Sequence, residues 1–296
     1  MVRLDPTSLR LFVGILEEGS ISAAAERAHL AAAAVSKRVS ELEHCLGTAL
    51  LVRSNKGVRP TAAGVELMHL ARGVLHDLDD IAVRMRDYAG GLRGRARVFA
   101  NISTITQFLP AQLKSFLAAY PLIDVHLEER ISSAIVRAVA ENAADIGIFT
   151  AGAAGAGLET FPYRRDELVL IVPQGHALAG RQSVAIRETL DYDHVSLHAG
   201  SHINLQLIKA ASEAGRALKP RIHVPGYDAL CLMVQAGLGL GILPKCSAAP
   251  YQHTLGIRTI RLDEPWAERQ LVIGVRAYQG LSVVARLLVD HLREAP

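Results

Sequence analysis

Ala32-Ala33-Ala34-Val35-Ser36-Lys37-Arg38-Val39-Ser40-Glu41-Leu42-Glu43-His44-Cys45-Leu46 carries two faces in one helical period. Val35, Val39, Leu42 and Leu46 recur at steps of four, three and four, which sets them on one buried stripe. Ala33, Ser36, Lys37 and Ser40 then point the other way. A small, polar and basic outer face near the N-terminal half is what a helix entering a DNA major groove requires. An ordinary solvated helix face has the same composition, so this stretch alone leaves both readings open.

Its neighbours decide between them. Upstream, Leu9, Phe12, Val13 and Leu16 fall at helical spacing after Asp5-Pro6-Thr7, a helix start, and Gly19-Ser20 interrupts them. Ser20 can cap a second helix with Ile21, Ala24, Ala25 and Ala28, whose small side chains let helices approach closely. Downstream, Leu50-Leu51-Val52-Arg53, Ser54-Asn55-Lys56-Gly57 and Val58-Arg59-Pro60 read as two short strands around a turn. Such a hairpin is a wing, and the whole reads as a winged helix-turn-helix. From Lys37 to Arg59 five basic residues (Lys37, Arg38, Arg53, Lys56, Arg59) stand against two acidic ones (Glu41, Glu43), a local basic face. Arg53, Lys56 and Arg59 on the wing would lie beside phosphates, adding affinity and salt dependence without sequence preference.

Composition sets the outer bounds. At 296 residues and 50% hydrophobic, the chain can bury the cores of two or three compact units. A net charge of +3 permits a polyanionic partner without demanding one. Cys45, Cys231 and Cys246 are odd in number and lack C-x-x-C spacing, so neither a disulfide framework nor a zinc finger is indicated. The N-terminus does not read as a signal peptide, and the longest apolar stretch, Cys231 to Leu243, is too short for a bilayer. A cytoplasmic protein with no membrane partner is expected.

After Thr61, a candidate N-cap, the chain reads as helix to about Tyr88, where Gly90-Gly91-Leu92-Arg93-Gly94 makes a hinge. Leu67, Ala71, Val74, Leu78, Ile81, Met85 and Tyr88 alternate steps of four and three, the seam of a coiled coil. This predicts a dimer, and a dimer supplies the two reading helices that a two-fold DNA site needs. From Arg95 onward strands (Arg97 to Ile102, Asp124 to Glu129, Asp145 to Phe149) alternate with helices (Phe108 to Ala119, Ile135 to Asn142). The theme repeats to Gln270–Val275, so an α/β domain with mostly parallel sheets and two lobes is expected.

Ala23-Ala24-Ala25-Glu26-Arg27, the run Ala34 to Glu43, Leu46-Gly47, Leu51-Val52-Arg53-Ser54 and Thr61-Ala62-Ala63-Gly64 resemble, in order and spacing, the DNA-binding signature of the LysR-type transcriptional regulator family. Phe108-Leu109-Pro110, Tyr120-Pro121, Ala144-Asp145-Ile146-Gly147-Ile148, Val172-Pro173 with His176, and Gly237 to Pro244 resemble that family's effector domain, itself similar to periplasmic binding proteins. The resemblance covers essentially the whole chain. It implies a DNA-binding domain over residues 1–60, a linker and dimerisation helix over 61–90, and an effector domain over 91–296. Within the last, lobe one is about 95–163 plus 269–296 and lobe two about 164–268. The chain departs from the family at Ala31, Ala32 and Ala33, where a hydroxyl cap, a glutamine and a proline or serine are common. Losing the glutamine removes a base-edge donor and acceptor. The expected DNA contacts are therefore Ala32, Ala33, Ser36, Lys37, Arg38 and Ser40 on the helix, with Arg53, Lys56 and Arg59 on the wing.

An effector is expected between the lobes, at helix N-termini and strand ends, where free N–H groups favour anions. Ser103 and Thr104 open one helix and Ser201 and His202 another, with Gly200 giving the backbone room. The resemblance adds Thr150, His198 and Tyr227. Helix capping is the plainer reading of these residues, and both stand at this point. A small carboxylate is the expected ligand. His194, His198 and His202 recur every four residues but span a strand, a loop and a helix start, so no metal site is expected. No Gly-x-Ser-x-Gly, HExxH or Walker motif occurs, and Gly237-Leu238-Gly239-Leu240-Gly241 leads into a strand and not a helix, so neither catalysis nor a cofactor is indicated. The expected partners are double-stranded DNA with an interrupted palindrome, the effector, and further copies forming a homodimer or homotetramer, with RNA polymerase a further candidate. A solute-binding protein and an α/β metabolic enzyme are the competing readings.

Overall fold

A computed structural model describes residues 4–54, 57–87, 93–152 and 157–294. The chain divides into two compact units, residues 1–91 with the short segment 141–143, and the remainder.

In the first unit, α1 (Pro6–Glu18), α2 (Ile21–Arg27) and α3 (Ala32–Leu46) precede β1 (Leu51–Ser54), β2 (Gly57–Pro60) and α4 (Ala62–Asp87). The boundaries follow local chemistry. Asp5 caps α1 by accepting from the Thr7 and Ser8 N–H groups, Ser20 caps α2 at the Ala23 N–H, and Gly19 and Gly47 end α1 and α3 in the left-handed region. Phe12, Ile15, Val35 and Val39 are fully buried at the centre of one core, with Leu42, Leu50, Ala71 and Leu75 around them. β1 and β2 pair antiparallel as the wing, Val52 opposite Arg59. Glu43 on α3 accepts from the Leu50 and Leu51 N–H groups at 2.8 and 3.1 Å, tying the recognition-type helix to the strand that follows it. Thr61 caps α4 at the Gly64 N–H, and a Cβ at position 64 would lie 2.1 Å from the Leu50 carbonyl oxygen, so only glycine lets the helix start this close.

The expected seam on α4 divides in two. Ala71 is buried, and Leu67 packs with it on the helix-turn-helix core. Among the described residues Val65, Leu70, Val74, Leu78 and Ile81 are left exposed, with Val74 49% and Ile81 57% exposed. Tyr88 and the Met85 side chain lie outside the described residues, as does the expected hinge at Gly90-Gly91-Leu92, while Gly94 already belongs to a strand.

The second unit runs β3 (Gly94–Ala100), α5 (Ile102–Gln107), α6 (Leu109–Ala119), β4 (Ile123–Glu129), α7 (Ser132–Ala140), β5 (Ile146–Thr150) and β6 (Glu159–Pro173). It continues through β7 (Ser183–Val184), β8 (His194–Leu197), α8 (His202–Glu213), β9 (Pro220–Val224), α9 (Tyr227–Gln235), β10 (Gly241–Pro244), α10 (Lys245–Leu255), β11 (Ile257–Leu262), β12 (Glu268–Val275) and α11 (Val283–Glu294). Two cores form. One gathers Val98, Phe116, Ile146, Ile273 and Leu288, the other Leu170, Leu207, Leu230, Val234 and Ile260. β6 serves both: its first half pairs with β12, its second with β10 and β11.

The expectation of mostly parallel sheets is corrected. β3 runs parallel to β4 and β5, and β8 to β9, but β12 is antiparallel to β5 and β6, and β10 and β11 are antiparallel to β6. Helical crossovers impose parallel pairing within each β-α-β unit, whereas β12 lies between β5 and β6 in the opposite direction to both. The helix expected over 108–119 is found as α6 from Leu109, with Pro110 in its first turn, and a separate short helix, α5, precedes it where none was expected. Among the described residues no helix is long and apolar enough to cross a membrane.

Candidate DNA-reading face and ligand cleft

On the first unit the outer face of α3 is open to solvent. Ala31, Ala32 and Ala33 are exposed, and Ala31 offers no side-chain cap to the first N–H groups of α3, only its carbonyl to the Ala34 and Val35 N–H groups. Arg53 reaches from β1 to donate to the Ser36 hydroxyl at 3.0 Å and to the Ser40 hydroxyl at 3.4 Å, bringing three expected DNA contacts into one cluster. Lys37 stays exposed, 3.8 Å from Glu41. Arg38 instead turns to Asp5, at 3.0 Å. The Ser8 hydroxyl and N–H, more than Arg38, hold the Asp5 carboxyl below the usual carboxylate range. Arg59 is exposed on β2, and Lys56 lies outside the described residues.

The second unit holds a narrow cleft of about 30 Å³. Ser103, Thr150, His198, Ser201, His202 and Tyr227 all line it, although 124 positions separate Ser103 from Tyr227. They converge because each follows the C-terminal end of a parallel strand: β3, β5, β8 or β9. Crevices at such ends are where open α/β sheets bind ligands. Ser201 caps α8 at the Asn204 N–H and borders the cleft as well, so capping and lining are not alternatives there.

At the other helix start the expected cap is corrected. Asn101, not Ser103 or Thr104, caps α5: its Oδ1 accepts from the Thr104 N–H at 3.0 Å and from the Thr104 hydroxyl at 2.9 Å. Thr104 is thereby fully buried behind the cap and does not line the cleft. Ser103 is freed to meet the Tyr227 hydroxyl at 2.9 Å. Burial pushes the Tyr227 hydroxyl up to about 12, so it stays protonated at neutral pH.

Sequence reasoning missed the centre of the wall. Arg269 on β12 and Asp166 on β6 are register partners, 5% and 9% exposed. The guanidinium binds both carboxylate oxygens, Nε to Oδ1 at 2.8 Å and Nη2 to Oδ2, and Nη2 also donates to Ser103 at 3.0 Å. Gln107 donates to Asp166 at 3.2 Å and to the Ser103 carbonyl at 3.1 Å, completing a buried network. Burial, and then the Arg269 charge, lower the His202 pKa, and its Nδ1 has no hydrogen-bond partner among the described residues.

His194 belongs to the core. Its Nδ1 donates to the Tyr192 carbonyl at 3.1 Å, its Nε2 meets the Thr189 hydroxyl at 3.2 Å, and burial pushes it down to about 4. No group of three or more His, Cys, Asp or Glu side chains placed to hold a metal occurs among the described residues.

Residues 6–65 match the family model described as a bacterial regulatory helix-turn-helix protein of the lysR family, and residues 89–296 match the LysR substrate binding domain. The RuBisCO operon transcriptional regulator of Allochromatium vinosum is 27% identical over 235 residues, 79% of this chain and 78% of that one. A full-length OxyR structure from Pseudomonas aeruginosa superposes with a TM-score of 0.75 at 22% identity, covering 99% of this chain and 96% of the other. Full-length CbnR complexed with its target DNA gives a TM-score of 0.68 at 22% identity, covering 98% and 99%.

Proposed function

This chain belongs to the LysR family of bacterial regulatory helix-turn-helix proteins, and from that premise we propose how its two units divide the work. It is a DNA-binding transcriptional regulator with an effector-binding domain, not an enzyme. In our reading α3 enters the major groove with Ser36, Lys37 and Ser40 toward base edges, and Arg53, Lys56 and Arg59 on the wing meet phosphates. A second copy packs on the exposed stripe of α4, giving a homodimer or a homotetramer that reads an interrupted palindrome in the cytoplasm, with RNA polymerase as a further partner. The domain limits are those the sequence suggests, 1–60, 61–90 and 91–296.

The effector binds in the second unit's cleft and changes the angle between the lobes, altering how copies pack and hence the bend and spacing imposed on DNA. Differential affinity for two arrangements is the thermodynamic source of such a switch. The observation that carries this reading is the convergence of Ser103, Thr150, His198, Ser201, His202 and Tyr227 on one cavity from four strand ends. Selection from random duplex DNA at near-physiological salt tests the first half. An enriched interrupted palindrome is expected; no enrichment by folded protein overturns it. For the second half, a cleft ligand must change the footprint on that site, and tight binding with an unchanged footprint and unchanged transcription refutes the switch.

A further inference from the structure

We infer that the cleft selects a zwitterion of the α-amino acid type, its carboxylate at the Arg269 and α8 end and its ammonium on Glu129, a reading that rests on the effector site proposed above. The argument is one of charge balance. Arg269 is the buried cation of the wall, and Asp166 neutralises it through two hydrogen bonds. Its Nη1 nevertheless has no partner among the described residues and keeps a donor for an anionic group. Ser201, Thr150 and His202 stand on the same lining, and the His202 Nδ1 is buried without a partner among the described residues. This end suits a carboxylate by hydrogen bonding, without offering it an unpaired positive charge.

The same lining carries a charge that a plain carboxylate would avoid. Arg130 is turned back onto Glu128, at 2.5 Å, and lies over the Phe99 ring at 5.6 Å. The adjacent Glu129 lines the cleft at its exposed mouth and has no cationic partner among the described residues. With Arg269 matched by Asp166 and Arg130 by Glu128, the unbalanced charge among these groups is that of Glu129. A monocarboxylate entering here meets like-charge repulsion, and a simple amine leaves the hydrogen-bond donors of the lining unused. A small molecule bearing both an ammonium and a carboxylate answers both.

The test uses the full chain and matched ligands. The standard amino acids are screened by calorimetry, and each binder is compared with its deaminated acid and its decarboxylated amine. The amino acid should bind roughly tenfold tighter than either analogue, the worth of one hydrogen bond to a charged group. Glu129→Gln, a change at an exposed position, should remove the preference over the deaminated acid. No binding by any amino acid, an acid that binds as tightly as its parent, or a preference intact in Glu129→Gln each overturns the zwitterion. Binding of the acid alone that is lost in Ser201→Trp leaves the cleft reading standing. Preference retained in Ser201→Trp, with DNA binding intact as the fold control, overturns both.

Discussion

Arg269 and Asp166 show how much one buried pair decides. Removing a single partner of such a pair strands the other charge, at a typical cost of about 3–5 kcal/mol. Arg269→Met should therefore lower stability in urea at pH 7 by that amount, while Arg269→Met with Asp166→Leu should recover most of it; equal losses would mean that the charges are not coupled. His194 gives a second residue-scale prediction. Its folded pKa, about 4, lies below the ordinary 6.5, so the fold disfavours the charged ring. The contribution is full above pH 6.5 and is lost as pH falls through 4, amounting to about 3 kcal/mol. His194→Gln should flatten the urea midpoint between pH 7 and 4.5 relative to the parent; parallel curves would assign the acid loss elsewhere. At this scale the sequence was half legible. Ser201 and Tyr227 stand beside loop and helix-start signals, but Arg269 near the start of β12 and Asp166 midway along β6 carry no such signal, and only the pairing of β6 with β12 brings them together. Asn101 was hidden for a similar reason: the strand was read two residues too long, which left the capping role to Ser103 and Thr104.

Elements were more legible where one local period governs them. The limits read for α3, Ala32 to Leu46, coincide with those observed, because the core stripe and Gly47 fix both its face and its end. The short α5 is set off from α6 by a one-residue break at Phe108, and the antiparallel β12 depends on partners more than a hundred residues away, neither visible in a window of periodicity. The wing carries a prediction of its own. Arg53 spans from β1 to two hydroxyls of α3, so Arg53→Ala should weaken binding evenly across DNA sequences and flatten the slope of log K against log salt by about one. A sequence-selective loss would make it a base reader instead. On α4, Val74→Glu with Ile81→Glu places charge on the exposed stripe. Sedimentation should show dissociation to monomers, and affinity for a palindromic site should fall about 100-fold with the loss of bivalency. An unchanged dimer would move the interface off this helix.

For the whole molecule the question is whether two units with separate cores communicate. Trp266, the chain's single tryptophan, packs on the core of the second unit, so its fluorescence reports that unit, while far-UV dichroism reports both. A cleft ligand at about 100 times its Kd stabilises the state it binds by about 2.7 kcal/mol, which for a unit of some 200 residues raises the melting midpoint by roughly 5–10 °C. The Trp266 transition should move by that much when the amino acid chosen by the binding panel is added, and operator DNA should move the dichroism of the helical first unit. Regulation demands more than these separate shifts. If the ligand changes DNA affinity by some factor, DNA must change ligand affinity by the same factor, a coupling of typically about 1–3 kcal/mol in allosteric proteins. The ligand's Kd, measured with and without saturating DNA, should therefore change by the same ratio as the operator's Kd measured with and without saturating ligand. Ratios that agree and differ from one establish that the cleft and the DNA-reading face bias one equilibrium; ratios of one would mean that the ligand stabilises its own unit without governing transcription.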